Sequence, residues 1–129
     1  MSAGTPATRS GLLLLLLTGG VLSACGAAPG TVISGHELRL REDEFRILPY
    51  RVSVPPGRLK IVVVNAGVLA HNLVIEHGGS IVASVPTVLP GATSAPIKRT
   101  LLPGVYTLAS SLSNQTNLGM TAQLTVRAR

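Results

Sequence analysis

The sequence predicts one small all-β domain, a β-sandwich of about seven short strands, standing behind an export leader. Three observations predict it. Short runs alternate apolar and polar residues, as in Leu38 to Arg41 and His71 to His77, the period of half-buried strands. Turn signals separate these runs: Pro55-Pro56-Gly57, Asn65-Ala66-Gly67, Gly78-Gly79 and Pro103-Gly104. No segment carries a helical period. The chain has 129 residues, 46% of them hydrophobic and 12% charged, so it holds one domain with enough apolar content to build a core.

Part of that apolar content belongs to the leader, residues 1–24. Arg9 supplies a positive start, Leu12 to Leu17 an apolar stretch, and Leu22-Ser23-Ala24 small residues before Cys25. This is the layout of a secretory signal peptide, and the stretch is shorter than the ~20 apolar residues of a membrane span. Leu-Ser-Ala-Cys also resembles the bacterial lipobox, in which the Cys becomes the lipid-modified first residue of the mature protein. Cys25 is the only cysteine, so the domain contains no disulfide and, once Cys25 is lipidated, no thiol. Residues 25–35, rich in Gly, Ala and Pro, are expected to tether lipid to domain. The domain proper is expected over residues 36–129.

Along that domain, Leu38 and Leu40 alternate with Arg39 and Arg41, a half-buried strand. Glu42-Asp43-Glu44 is expected to form a solvated turn, because neighbouring side chains in an extended chain point apart. Phe45 to Leu48 and Tyr50 to Val54 continue the extended pattern, with a break at Pro49. Leu59 to Val64 has the β-branched composition of a buried strand. In His71 to His77, His71, Leu73, Ile75 and His77 share one face, and Asn72, Val74 and Glu76 the other. Ser80 to Pro96, with three prolines, yields no clear element. Ile97 to Leu102 fits an outer strand, and Val105 to Leu108 and Thr121 to Val126 the last two.

The charge balance, eleven Lys/Arg against five Asp/Glu, is +6, or +5 from Cys25 onward once Arg9 is removed with the leader. Three aromatic residues offer no stacking platform, and the chain is exported, so no nucleic-acid partner is expected. The cations are scattered along the sequence and read as a solvated surface, the alternative being a weak attraction to anionic lipid headgroups.

"EFRILPYRVSVPPGRLKIVVVNAGVLAHNLVIE" resembles the first half of small bacterial cupredoxins, and "PGVYTL" followed by "LGMTAQLTV" resembles their final hairpin. The resemblance implies a Greek-key β-sandwich of cupredoxin type from about Leu38 to Val126. It also implies where a type 1 copper site would stand. His71, with Asn72 beside it, matches the first histidine ligand, and Met120 matches the axial ligand. Ser110 stands where the family has its cysteine, and Gln115 where it has its second histidine. A blue copper site is a His₂Cys set with a weak axial ligand, and a serine hydroxyl and an amide oxygen do not replace a thiolate and an imidazole.

The expectation is therefore a membrane-anchored, extracytoplasmic binding module, held by lipid on Cys25, with no cofactor and no catalysis. Its binding surface is expected at the loop end, around Asn72, Ser111, Asn114 and Asn117, for a protein partner or a small ligand. The competing expectation is a copper-handling lipoprotein that holds Cu(I) weakly on His71 and Met120. Ser110, Ser111 and His71 raise the thought of a Ser–His pair, but no orienting acid or oxyanion hole is signalled. His77 lies six residues beyond His71, ~20 Å along a strand, too far to share a metal.

Overall fold

The computed structural model describes residues 1–4 and 29–129. Cys25, the leader and the first part of the tether lie outside the described residues. Within them run β1 (Thr31–Val32), β2 (Glu37–Asp43), β3 (Arg46–Leu48), β4 (Arg51–Val54), β5 (Gly57–Asn65), β6 (His71–His77), β7 (Ser80–Val88), β8 (Ile97–Leu101), β9 (Gly104–Ala109) and β10 (Thr121–Val126). They form a six-stranded sheet, β1-β4-β10-β9-β6-β7, and a four-stranded sheet, β3-β2-β5-β8. The two sheets enclose a single apolar core. Every described strand finds its partners within Thr31 to Val126.

Register sets which side chains enter the core. Parallel pairing of β2 with β5 places Leu38 beside Ile61, Leu40 beside Val63 and Glu42 beside Asn65. All six side chains are buried and point inward on alternate positions. Leu73, Ile75, Leu108 and Leu124 meet them from the six-stranded sheet. Burying each Leu or Ile contributes about 1.5–3 kcal/mol, which lets the domain hold together without a cross-link.

Three expectations change. Thr31–Val32, inside the stretch expected to be tether, pairs in parallel with β4. Ser80–Val88 is a nine-residue strand. It lies at the sheet edge, where a proline such as Pro86 is tolerated because one side of the strand needs no ladder partner. Thirdly, Glu42-Asp43-Glu44 is not a solvated turn. β2 runs through Asp43, so Glu42 follows Leu38 and Leu40 onto the inward face and is fully buried. Asp43 is gripped by Arg46 through bonds of 2.8 and 3.0 Å. Glu44 accepts the Val68 and Leu69 N–H groups at 2.6 and 3.0 Å.

Neither Glu42 oxygen has a hydrogen-bond partner among the described residues. Burial without a partner disfavours the anion and pushes its pKa from 4.5 up to about 8. The native state keeps this proton at pH values where the unfolded chain has lost it. Stability therefore falls as pH rises from about 4.5 to about 8, and the loss levels off above that. We expect Glu42 to contribute a slope of about −1.4 kcal/mol per pH unit in that window. Urea unfolding of Glu42→Leu at a series of pH values should show the slope gone and the protein more stable at pH 8; an unchanged slope would exclude Glu42 as its source.

Candidate functional site

One end of the sandwich gathers the residues of interest. There β2, β5, β7 and β9 finish and β6 and β10 begin, so a side chain at any of these strand ends faces the same region. His71 opens β6, Ser110 follows β9, Met120 precedes β10, and Asn65 closes β5. All four are buried.

Gln115 ties this end together. Its Nε2 donates to the Ala70 carbonyl at 3.0 Å, which turns Oε1 toward the interior. That oxygen lies 3.0 Å from His71 Nδ1 and 2.5 Å from Ser110 Oγ. Because it only accepts, Nδ1 carries the His71 proton and Ser110 donates its hydroxyl proton. Both groups are donors to one oxygen, so His71 Nδ1 is not a base for Ser110, and no nucleophilic pair exists between them. His71 Nε2, on the other side of the ring, has no hydrogen bond among the described residues; the Glu44 Oε1 atom stands 3.7 Å away. The Leu69 and Val68 amides hold the Glu44 carboxyl below its ordinary range, so it is ionised at neutral pH.

Asn72 joins β6 to the β9–β10 loop. Its Oδ1 accepts the Ser111 N–H at 2.8 Å and its Nδ2 donates to Ser111 Oγ at 2.9 Å. Asn114 and Asn117, named from the sequence as binding surface, bond to each other through their side chains. Asn114 sits at φ 63°, a left-handed conformation that Asn tolerates better than most residues. These two shape the loop, and Thr116 Oγ1 pins it by donating to the Ser110 carbonyl at 2.6 Å. Met120 is fully buried in the core cluster; its backbone N–H donates to the Gln115 carbonyl at 3.1 Å.

The sequence reading missed Asn65. The sequence marks it as the start of an Asn-Ala-Gly turn, yet its Nδ2 donates to the Leu69 and Val88 carbonyls at 2.8 and 2.9 Å, and its Oδ1 accepts the Gly67 N–H at 2.9 Å. It fastens the loop before His71 to the end of β7. The signal was an Asn at the end of an apolar strand followed by Gly, a pattern shared with ordinary turns. Also missed was the apolar character of this end. Phe45, Val68, Leu69, Leu89 and Leu118 all emerge there; Val68 is 79% exposed, Leu89 66% and Leu118 52%. His77 and His36 lie elsewhere. His77 stacks on Tyr106 with centroids 4.7 Å apart, and His36 Nε2 bonds to the Pro56 carbonyl at 3.1 Å.

The residues present do not fit a type 1 copper centre. Ser110 supplies a hydroxyl in place of a thiolate, and the inward-facing nitrogen of His71 already bears a proton bonded to Gln115. No group of three or more His, Cys, Asp and Glu side chains suited to a metal occurs among the described residues.

Neither a protein-family model nor a curated protein sequence matches the chain. Solved structures do. The chain is similar to dithionite-reduced auracyanin from the photosynthetic bacterium Roseiflexus castenholzii, at TM-score 0.68 and 18% identity over 74% of this chain and 100% of that one. It is also similar to auracyanin A, a blue copper protein from Chloroflexus aurantiacus, at TM-score 0.64 and 16% identity over 74% and 99%. Rusticyanin from Thiobacillus ferrooxidans aligns at TM-score 0.58 and 14% identity over 74% and 80%. The chain has the cupredoxin fold.

Gln115→Ala should strand the His71 N–H and the Ala70 carbonyl, while the Ser110 hydroxyl keeps Asn72 Oδ1 at 3.1 Å as an acceptor. Leaving buried polar groups unpaired costs about 1–3 kcal/mol each, reduced where water enters the space vacated. We expect a loss of about 2–4 kcal/mol in urea unfolding, with Asn114→Ala far milder; comparable losses would remove Gln115 from the centre of this network.

Proposed function

We propose that this chain is a lipid-anchored, extracytoplasmic cupredoxin-fold module that binds a protein partner at its loop end, carries no electrons and catalyses no reaction. The observation that carries this reading is the Gln115 bridge. It closes with hydrogen bonds the space in which the resemblance would put a metal, and it leaves a rigid end with an apolar surface outside it. Phe45, Val68, Leu69, Leu89 and Leu118 supply contact area of the kind that partner binding uses. Ser111, Asn114 and Asn117 are exposed beside them and add polar contacts.

The competing reading, Cu(I) held by His71 and Met120, has in its favour only the buried His71 Nε2, which has no hydrogen bond among the described residues. Nδ1 is protonated toward Gln115, and Met120 packs in the core.

Two experiments test the proposal. Copper titration should give no thiolate-to-copper absorption for the native chain, whereas Ser110→Cys combined with Gln115→His should generate an intense blue band, because the pair restores the His₂Cys set around His71 and Met120. A blue native chain would end the proposal. A double variant that stays colourless would show that these are not the ligand positions. For binding, a photo-crosslinking residue at position 118 should give a discrete adduct in cells, and the same residue at position 78, on the opposite end, should give none.

Anchoring is tested separately. Cys25→Ser should abolish metabolic lipid labelling and move the protein out of the membrane fraction. A labelled or membrane-retained variant would place the anchor elsewhere.

A further inference from the structure

The cations that look scattered along the sequence are gathered by sheet register onto one surface. On β2, Arg39 and Arg41 alternate with the buried Leu38 and Leu40, so they face away from the core. On β5, Arg58 and Lys60 alternate with Leu59 and Ile61. Lys98 of β8 pairs with Lys60, and Lys60 in turn with Glu37 of β2. The outer face of the four-stranded sheet therefore carries Arg39, Arg41, Arg58, Lys60 and Lys98. The acidic groups on this face are both engaged: Glu37 binds Lys60 at 2.9 Å, and Asp43 is held by Arg46 at 2.8 Å. The strands of the six-stranded sheet carry Arg51 and Glu76, which cancel.

The chain also leaves the domain beside this face. Pro29 and Thr31 line one groove together with Leu48 and Pro49, at the end of β3, the edge strand of the basic sheet. From Thr31 back to Cys25 the chain spans at most ~20 Å, so a lipid on Cys25 keeps this edge close to the bilayer.

We propose that the outer face of the four-stranded sheet docks on anionic lipid headgroups, with Arg39, Arg41, Arg58, Lys60 and Lys98 as its contacts. The choice of a bilayer as occupant rests on the lipid-anchor reading above. The attraction itself does not need the lipid, and this separates the two tests. Basic side chains near an anionic surface act together with an acyl anchor as a second membrane signal. The docked domain lies on its basic sheet, with the loop end free at the side for a partner.

The test uses the leaderless, unlipidated chain from Gly26 to Arg129 and vesicles of phosphatidylcholine with or without phosphatidylglycerol. We expect co-sedimentation only with the phosphatidylglycerol vesicles, and its loss as salt rises. Changing Arg39, Arg58 and Lys98 together to Glu should lower partitioning about a hundredfold. A control with equal net charge, Arg51→Glu, Ser80→Glu, Ser84→Glu and Arg129→Glu, alters the other sheet and the C-terminus and should change partitioning far less. Far-ultraviolet circular dichroism confirms that each variant is folded. No binding to anionic vesicles, or equal losses in the two variants, overturns the proposal. Binding to polyglutamate without binding to vesicles overturns it in favour of an acidic protein. None of these results bears on Cys25 lipidation, which the labelling experiment decides alone.

Discussion

A single amide oxygen organises the loop end of this domain. Gln115 Oε1 accepts from both His71 and Ser110, while the same amide's nitrogen reaches the Ala70 carbonyl. Three segments that meet at the mouth of the sandwich are thereby joined through one side chain: the loop before β6, the start of β6 and the end of β9. A neutral amide does this well because it offers donors and acceptors on opposite sides, and every bond it makes here is inside the protein, where an unpaired polar group is costly. The orientation of the histidine, its tautomer and the shape of the β9–β10 loop all follow from that arrangement.

Around this bridge the fold places a second tier of polar anchors. Asn65 holds the loop after β5 to the end of β7, and Glu44 reaches across from the β2–β3 turn to cap the Val68 and Leu69 amides. Loops are ordinarily the mobile part of a sandwich. Here three side chains from different parts of the chain stitch them down, so the exposed apolar residues they carry are presented on a fixed frame. A preorganised apolar surface loses little entropy on binding, which suits a docking module better than it suits a loose loop. Glu42, fully buried and with no side-chain partner among the described residues, is the exception to this economy: it weakens the fold as pH rises above about 4.5, and its carboxyl supports no neighbour by hydrogen bonding.

Two surfaces of different character result. The loop end is apolar and rigid, and the outer face of the four-stranded sheet is basic. They lie on different sides of the domain, so engagement of one leaves the other free. An anchored protein that rests on its basic sheet would hold its apolar end at a set height and orientation over the membrane, reducing the search a partner must make.

Much of this architecture was legible in the sequence. Period-two alternation located β2 and β6, and the β-branched run located β5, because the core selects apolar side chains at every second position and writes that choice into the chain. The family resemblance at His71, Ser110, Gln115 and Met120 likewise identified side chains that do belong to one end of the fold, and the chemistry of serine and glutamine alone argued against a thiolate–imidazole copper set. What the sequence could not determine depends on contacts between distant residues. Whether Glu42 is wet or buried turns on β2 continuing two residues further against β5. Whether Asn65 is a turn residue or an anchor turns on where Leu69 and Val88 come to lie. Arg39, Arg58 and Lys98 form one surface only because strand register aligns them across β2, β5 and β8. Local pattern reports which face of its own strand a residue occupies; tertiary pairing decides what stands on that face beside it.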